Sequence, residues 1–442
     1  MALQIVHDAE SIPLDLDEKN RPRKTIGNVL TVLSCDPQWH GAIAYNSFSE
    51  QPVLLRRPPM REQDEVDFVA GAPWSPQDST RTAAWIDAVH GFSVPSAMVT
   101  EAMLAVAQRT MFHPVLKYLD ALEWDRQPRV DQFFARYCGA ADNTYVRGVA
   151  RMMLLSAVAR VRQPGCKVDT ITILEGVQGL KKSTMLSILA GKSWFADTPI
   201  VLGDKDSFQS LRGVWLYELA ELDSIKGKDA TRIKSFASSP VDHYRPSYAP
   251  AVKSVPRQCI FVGSTNDDAY LTDPTGARRF WPVKLPRMDL EAVARDRDQL
   301  WAEADALYCD GAPWWPDRTL DALGAEETDE RIEVDAWADP IRQWLTAPVV
   351  RRWAANGGGE YPDTLDPAAG LAMTDVLTGA LGIPVERQGK REQGRASVVL
   401  RQLGWERGRQ RRGTAGERCR PWVRAKTEVT PGDGLVTGGD DK

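Results

Sequence analysis

The spacing of apolar residues changes near residue 164, and the two patterns predict two kinds of structure. Between residues 25 and 163 most apolar residues recur at helical spacing, continuously so over 113–163, and a strand pair is predicted at AIAYNSF and PVLLRR. From Thr170 to about Leu285, short β-branched runs alternate with helical patterns, which favours a parallel sheet flanked by helices. The clearest predicted strands are ITILEG, GVWLYEL, QCIFVGST and RRFWPVKL.

These patterns divide the chain into six predicted segments. The fold class is α/β, with the parallel sheet in the central segment and a small winged-helix-like module after it. The module is predicted from helices at MTDVLTGALGI and GRASVVLRQLGWERG and a wing strand at RCRPWVRAK. The segments are a flexible arm (1–24), a mixed or mainly helical domain (25–163), the sheet domain with a helical extension (164–346), a linker (347–370), the basic module (371–426) and a disordered tail (427–442).

Composition excludes several classes of protein. With 442 residues, 43% hydrophobic and 26% charged, the chain is typical of a soluble globular protein. It has no membrane-length apolar run and an acidic start unlike a signal peptide, so a cytoplasmic location is expected. Its six cysteines form no Cys-x-x-Cys pair, which predicts reduced thiols rather than a zinc ribbon. The net charge is −5, yet Val385 to Lys426 contains thirteen Lys and Arg against four Glu.

One segment, ITILEGVQGLKKST, has the layout of a phosphate-binding loop. An apolar strand runs into two glycines, and Lys-Ser-Thr then precedes a helical pattern. Glycines let backbone N–H groups surround phosphates, the lysine neutralises phosphate charge, and the serine hydroxyl holds Mg²⁺. The segment predicts a Walker A loop that binds ATP and Mg²⁺ through Gly176, Gly179, Lys181, Lys182, Ser183 and Thr184.

Lys181 departs from the Walker A pattern, which has glycine immediately before the phosphate-binding lysine. A lysine in a positive-φ or tightly packed position costs roughly 1 kcal/mol or more. One interpretation is a tolerated variant with an added cation near the phosphates. The other is a degraded loop that binds nucleotide weakly or not at all. The motifs downstream favour the first interpretation.

A second apolar strand, GVWLYEL, delivers acidic residues after the loop. It contains Glu218 near its end, and Glu221 and Asp223 lie just beyond. A carboxylate at the C-terminal edge of a buried strand is what a Walker B site needs to hold Mg²⁺ and polarise the attacking water. Glu218 is the predicted metal ligand and Glu221 the predicted base, although the two roles can be exchanged.

A third strand, QCIFVGST, leads to Asn266, whose side chain is suited to position the attacking water and sense the γ-phosphate. Arg278 and Arg279 follow. A guanidinium beside an ATPase core stabilises the charge that develops on a transferred phosphoryl group. Structural salt bridges to nearby aspartates are the alternative, and the sequence does not choose between the two arginines.

Cations and aromatic residues interleave in IKSFASSPVDHYRPSYAPAVKSVPRQ, between the second and third strands. Cations grip the phosphates of a single strand and aromatic rings stack on its bases. The basic module offers further phosphate contacts, and in both places a solvated charged surface is the alternative. The predicted DNA-binding residues are Lys234, Arg245, Tyr248, Lys253, Arg395, Arg401, Arg409, Arg411 and Arg412.

The blocks LEGVQGLKKST, GVWLYELAELD, IKSFASSPVDHYRPSY and FVGSTNDDAYLTDPTGARRFWPV resemble the virulence-associated E family of phage and mobile-element proteins. The resemblance extends from about residue 113 to about 285. That family is related to viral superfamily-three helicases and phage primase-helicases. The resemblance implies a modified AAA+ core, a ring that is usually hexameric, nucleotide bound between subunits and a hairpin lining the pore.

Carried onto this chain, the resemblance implies that Lys182 and Ser183 bind phosphate and Mg²⁺, that Glu218 and Glu221 form the Walker B site, and that Asn266 is the sensor. It further implies that Arg278 or Arg279 acts on a neighbouring subunit's nucleotide, and that Lys253 or a neighbour touches DNA.

The expected function is therefore an ATP-dependent DNA helicase or translocase that serves replication of a phage or mobile element, with a separate primase as a possible partner. Asp15-Leu16-Asp17 is the one candidate for a primase carboxylate pair, and it lacks a following strand pattern, so no primase site is expected. Two alternatives stay open. One is a nucleotide-gated DNA-binding initiator or regulator without unwinding activity, and the other is an element-encoded interference or defence ATPase.

Overall fold

The structure is a computed structural model, and the chain divides into two compact units. The larger unit comprises Met1–Tyr270 and Gly276–Glu330, and the smaller comprises Leu271–Thr275 and Arg331–Lys442. Across the described ranges, no helix is both long and apolar enough to cross a membrane. The structure describes residues 12–61, 68–200, 205–220, 233, 235–244, 252–267, 270–271, 279–331, 335–353, 360–409, 411–412 and 418–425.

The larger unit begins with a small sheet packed against three helices. Strand β1 pairs antiparallel with β2 and parallel with β4, so the described strands have the order β3-β2-β1-β4. The strand pair predicted at AIAYNSF and PVLLRR is thus present. The elements are α1 (Ile26–Cys35), β1 (Ile43–Asn46), β2 (Gln51–Leu54), β3 (Ala72–Pro73), α2 (Pro76–His90), α3 (Ser96–Ala107) and β4 (Met111–Phe112).

Local sequence signals explain where these helices begin and end. Ser75 and Asp78 form a capping box at the start of α2, with Pro76 in the first turn, and Gly91 in the left-handed region ends the helix. The arm expected at 1–24 is held in place from residue 12 onward. The buried Asn28 side chain bonds the backbone N–H and C=O of Asp15 and the C=O of Arg23.

A parallel sheet forms the centre of the larger unit. Its five described strands have the order β11-β5-β10-β7-β6, and every pairing is parallel. The elements of this part are α4 (Pro114–Asp120), α5 (Phe133–Cys138), α6 (Thr144–Arg162), β5 (Ile171–Glu175), α7 (Lys182–Ala190), β6 (Phe195–Ala196), α8 (Lys205–Gln209), β7 (Leu216–Leu219), β8 (Val241–Tyr244), β9 (Lys253–Pro256), β10 (Ile260–Thr265), β11 (Phe280–Lys284), α9 (Leu290–Cys309) and α10 (Arg318–Asp329).

Helices α4 to α6 share one hydrophobic core with the sheet. Val149 and Leu154 of α6 are buried together with Leu174 of β5 and Val262 of β10. The core of the small N-terminal sheet is separate from this one. The boundary expected at residue 163 therefore lies inside a single packed core, and the helices before it belong with the sheet.

The helical stretch expected over 113–163 is interrupted at 121–132 and 139–143. Glu303 of α9 explains the first break, because its Oε2 accepts the backbone N–H groups of Arg129 (2.5 Å) and Val130 (2.9 Å). A side chain distant in sequence thus takes the place of helical hydrogen bonds. Gly139 in the left-handed region ends α5, and Asn143 caps α6.

The smaller unit has its own core. Ile341, Val376, Leu400 and Trp422 are among its buried residues. Helices occupy the two predicted helical segments, but the second ends before Trp405, which lies in a strand paired with β17. The elements are α11 (Ala338–Thr346), β12 (Val349–Trp353), β13 (Glu360–Thr364), α12 (Met373–Leu381), α13 (Lys390–Gln402), β14 (Trp405–Arg407), β15 (Arg411–Arg412), β16 (Arg418–Cys419) and β17 (Trp422–Arg424).

Candidate functional site

The predicted phosphate-binding loop connects β5 to α7. All five residues of β5 are buried, and the chain leaves the sheet at Gly176. A Cβ on Gly176 would lie 2.8 Å from the carbonyl oxygen of Leu285, so only glycine fits this close approach. Gly179 has φ +83°, which also favours glycine. A close contact at Gly176 and a positive φ at Gly179 thus explain why glycine stands at both loop positions.

Lys181 occupies the left-handed region, with φ 66° and ψ 35°, and it is the N-terminal capping residue of α7. This is the conformation that glycine adopts without strain and that costs a residue with a Cβ roughly 1 kcal/mol or more. Its side chain is exposed. The loop therefore keeps the backbone geometry expected of a glycine while carrying an exposed lysine at the positive end of α7.

The Lys182 ammonium lies inside the loop. It donates to the carbonyl oxygens of Gly176 (2.5 Å) and Thr265 (3.1 Å) and to Asn266 Oδ1 (3.0 Å). The residue is only 8% exposed. The first and third sequence motifs thus meet at one ammonium group, which contacts the ends of both β5 and β10.

Glu218 of β7 lies beside the first turn of α7. Its Oε1 accepts hydrogen bonds from Ser183 Oγ (3.1 Å) and Ser264 Oγ (2.6 Å). Its Oε2 is buried and, among the described residues, has no hydrogen-bond partner. An unpaired carboxylate oxygen beside a serine hydroxyl is a suitable ligand pair for Mg²⁺. The residues present therefore fit the expected metal, which Ser183 and Glu218 would hold.

The register of the sheet explains why these side chains meet. Thr265 of β10 is paired with Glu175 of β5, and Val262 of β10 is paired with Glu218 of β7. Three adjacent parallel strands therefore end at one edge, which is where parallel sheets place their ligand sites. Within the described ranges, this edge included, no group of three or more His, Cys, Asp or Glu is placed to hold a metal ion.

Arg279 is not part of this group. It immediately precedes β11, whose first residue, Phe280, is paired with Ile171 at the start of β5. It therefore lies at the N-terminal edge of the sheet, about 13–16 Å of strand away from the loop at the other edge. Within one chain, the structure does not bring Arg279 to the phosphate-binding loop.

Of the predicted DNA-binding residues in the central segment, the structure describes Lys253. It begins β9, which pairs with β8 in a hairpin, and its ammonium lies 2.5 Å from Glu50 Oε1. The predicted site residues Glu221, Arg278, Lys234, Arg245 and Tyr248 lie outside the described residues.

The predicted arginines of the basic module have different surroundings. Arg395 is paired with Asp335 at 2.8 Å and lies over the ring of Trp337 at 4.1 Å. The hydrogen bond to Asp335 raises the pKa of the Arg395 guanidinium. Arg401 and Arg409 are exposed. Arg411 and Arg412 form β15.

Sequence reasoning missed a buried contact next to the loop. Glu175, the last residue of β5, is 3% exposed, and its Oε1 accepts a hydrogen bond from Tyr270 Oη at 2.9 Å. A charged residue that ends an otherwise apolar strand, directly before Gly176, is the signal in the sequence. The chain also folds back here, because Leu285 N donates to Glu175 O.

Comparisons with known proteins agree with part of this picture. Residues 119–333, just under half of the chain, match the model of the virulence-associated protein E-like domain. No curated protein sequence matches the chain significantly.

Among solved structures, the apo structure of the NrS-1 C-terminal region (305–718) is 10% identical, with 87% of this chain and 96% of that chain covered and a TM-score of 0.41. The A form apo structure of the same region is 11% identical, with the same coverage and TM-score. At this TM-score the likeness supports no conclusion about function.

Proposed function

We propose, on the premise that residues 119–333 match the model of the virulence-associated protein E-like domain, that the protein is an ATP-dependent helicase or translocase acting on single-stranded DNA. The observation that carries the proposal is the convergence of Lys182, Ser183, Glu218 and Asn266 at one edge of a parallel sheet. A charged loop lysine, a metal-ligating hydroxyl, a buried carboxylate and a polar strand-end residue are the groups that nucleotide hydrolysis requires. Replication of a phage or mobile element is the proposed setting.

The residues of the site have separable roles. The backbone N–H groups of the loop and the positive end of α7 receive the phosphates, with the ammonium of Lys182 against the terminal ones. When bound between Ser183 and Glu218, Mg²⁺ neutralises charge on the phosphate oxygens. Asn266 positions the attacking water. Glu221, which follows β7, is the proposed base.

Completion of the site in trans is part of the proposal. Within one chain, Arg279 lies at the sheet edge opposite the phosphate-binding loop. Arg278 or Arg279 therefore acts on the nucleotide of a neighbouring copy in a ring, which we take to be hexameric. The cations of the β8–β9 hairpin and of the basic module then contact DNA. A separate primase is a further proposed partner.

A second candidate is a nucleotide-gated DNA-binding initiator or regulator that does not unwind DNA. The left-handed Lys181 favours it, because strain at the loop is compatible with binding that is coupled to assembly rather than to rapid turnover. A forked duplex distinguishes the two. ATP-dependent strand separation supports the helicase, whereas tight duplex binding without separation supports the initiator.

The test of the proposed site is Lys182→Ala compared with Lys192→Ala, an exposed lysine just after α7. Mg²⁺-dependent phosphate release is measured with and without single-stranded DNA. Lys182→Ala is expected to lose at least about 100-fold in rate, because the terminal phosphates lose their cation, whereas Lys192→Ala should match the wild type. Equal turnover by Lys182→Ala and the wild type refutes the site assignment. Thermal unfolding of both variants separates loss of chemistry from loss of fold.

A further inference from the structure

A carboxylate next to the small N-terminal sheet lies against the pair Tyr244 and Lys253, where β8 ends and β9 begins. Glu50 belongs to the tight connection between β1 and β2, where Asn46 Oδ1 accepts the backbone N–H groups of Phe48 (3.0 Å) and Ser49 (3.1 Å). Glu50 itself has φ 54°, in the left-handed region. Its side chain is only 13% exposed. A strained backbone and a sheltered carboxylate at one residue indicate that its surroundings hold it in place.

Three donors surround the Glu50 carboxylate. Lys253 Nζ lies 2.5 Å from Oε1, Tyr244 Oη donates to Oε2 at 3.3 Å, and Arg212 Nε lies 3.4 Å from Oε2. Arg212 also lies over the Tyr244 ring, 4.8 Å from its centroid. Two cations and a phenol therefore share one carboxylate, which leaves a net positive charge at the contact.

These donors belong to the segments that lead into the nucleotide site. Arg212 lies four residues before β7, the strand that carries Glu218, and the intervening Gly213 N donates to Phe48 O at 3.1 Å. Lys253 begins β9, and the chain then enters β10, which ends next to Asn266. Arg212 and Lys253 thus precede, by four and seven residues, the two strands that supply site residues.

We propose that Glu50 is an internal competitor for a nucleic-acid phosphate. In the structure its carboxylate contacts Arg212, Tyr244 and Lys253. When single-stranded DNA binds to the hairpin, a phosphate of the DNA displaces the carboxylate from these donors. The contact keeps the Tyr244–Lys253 end of the hairpin next to the N-terminal sheet while no DNA strand is bound. The inference rests on the proposed function for its ligand, but its test does not depend on hydrolysis.

The argument for competition is chemical. Carboxylate and phosphate oxygens both accept hydrogen bonds from a lysine, an arginine and a phenol. The Lys253 side chain is 45% exposed whereas that of Glu50 is 13% exposed, so Lys253 is the donor that a phosphate from solvent meets first. Losing the carboxylate while keeping the donors leaves two cations unpaired, which increases the attraction for a polyanion.

The test is Glu50→Gln, which keeps the shape of the side chain and removes its charge. Affinity for a fluorescent oligothymidylate is measured by anisotropy over a range of salt concentrations without nucleotide. The variant is expected to bind about tenfold more tightly, with a steeper log-affinity against log-salt slope, by about 0.7 for each added phosphate contact. Glu101→Gln, the same charge change on the exposed face of α3, is the matched control and should bind as the wild type does.

Each outcome decides the inference. A gain in Glu50→Gln that disappears in Glu50→Gln/Lys253→Met supports it. Unchanged or weaker binding by Glu50→Gln, or an equal gain in Glu101→Gln, overturns it, because a purely structural contact lowers stability without raising affinity. If Glu50→Gln does not fold, Glu50→Asp shortens the carboxylate at constant charge and should show a smaller gain, and no gain there overturns the inference as well. The proposed hydrolysis is tested separately, by Lys182→Ala.

Discussion

Replacing Lys181 by glycine measures the strain that the phosphate loop holds before nucleotide binds. At φ 66° and ψ 35°, a residue with a Cβ pays about 1–2 kcal/mol relative to a relaxed backbone. Glycine removes that cost but gives the unfolded chain more freedom, which offsets about 0.4–1 kcal/mol. The variant is therefore expected to be more stable to unfolding than the wild type by about 0.5–1 kcal/mol.

Lys181→Ala is the matched variant, because it removes the ammonium and keeps the Cβ. Any effect of taking a cation away from Lys182 and from the positive end of α7 is common to both variants. The difference between glycine and alanine therefore reports the backbone strain minus the extra freedom of glycine in the unfolded chain. The difference between alanine and the wild type reports the charge.

The assay is hydrogen exchange of the α7 peptides in increasing urea, without nucleotide. This readout is local, which matters because the chain has two compact units and its global transition need not be two-state. The urea midpoint should be highest for glycine. A midpoint for Lys181→Gly equal to or below that of Lys181→Ala refutes the strain argument. Both variants should also bind nucleotide more weakly than the wild type if the ammonium contacts phosphate.

Three further outcomes are expected. Glu218→Gln should lower Mg²⁺-dependent hydrolysis by roughly 100- to 1000-fold with little loss in the titrated affinity for a fluorescent ATP analogue, and a parallel loss of affinity would contradict a metal-ligand role. Burial lowers the pKa of His113 below its usual 6.5, so stability should fall as the pH drops from about 6.5. His113→Asn keeps a capping side chain for α4, and its urea midpoint should decrease less than that of the wild type between pH 7 and 5. An equal decrease in both proteins argues against a role of His113 in this pH dependence. Asp242→Asn removes the partner of the buried Arg257 and should destabilise the chain by about 3–5 kcal/mol in urea unfolding, and a loss below 1 kcal/mol would show that the pair is solvated.

The sheet and the loop could be predicted because their signals are local. An apolar run that ends in glycine, followed by Lys-Ser-Thr and a helical pattern, predicts a strand, a turn and a helix between Ile171 and Ala190. The parallel arrangement then brings Glu218 and Asn266 to the same edge as Lys182, since strands of one direction end together. The three motifs are therefore close together in the structure although they are separated in the sequence.

Contacts between segments far apart in sequence could not be predicted. Glu50 reaches Lys253 across 203 positions, and nothing near either residue indicates the other. Glu303 ends the helical pattern near Arg129 in the same way, by supplying an acceptor from a distant helix. The motif has glycine at the position of Lys181, so the sequence could predict an energetic cost there. It could not show that Lys181 adopts the left-handed backbone conformation.

The placement of Arg279 at the sheet edge opposite the loop has a genetic consequence. In the proposed ring each pocket contains residues of two copies of the chain, so a copy that lacks Lys182 and both Arg278 and Arg279 would impair its own pocket and the adjacent one. Such an allele, co-expressed with an intact one, should then be dominant rather than recessive. Two partly defective alleles, one lacking Lys182 and the other both arginines, should instead complement each other in part, because some junctions in a mixed ring pair an intact loop with an intact guanidinium.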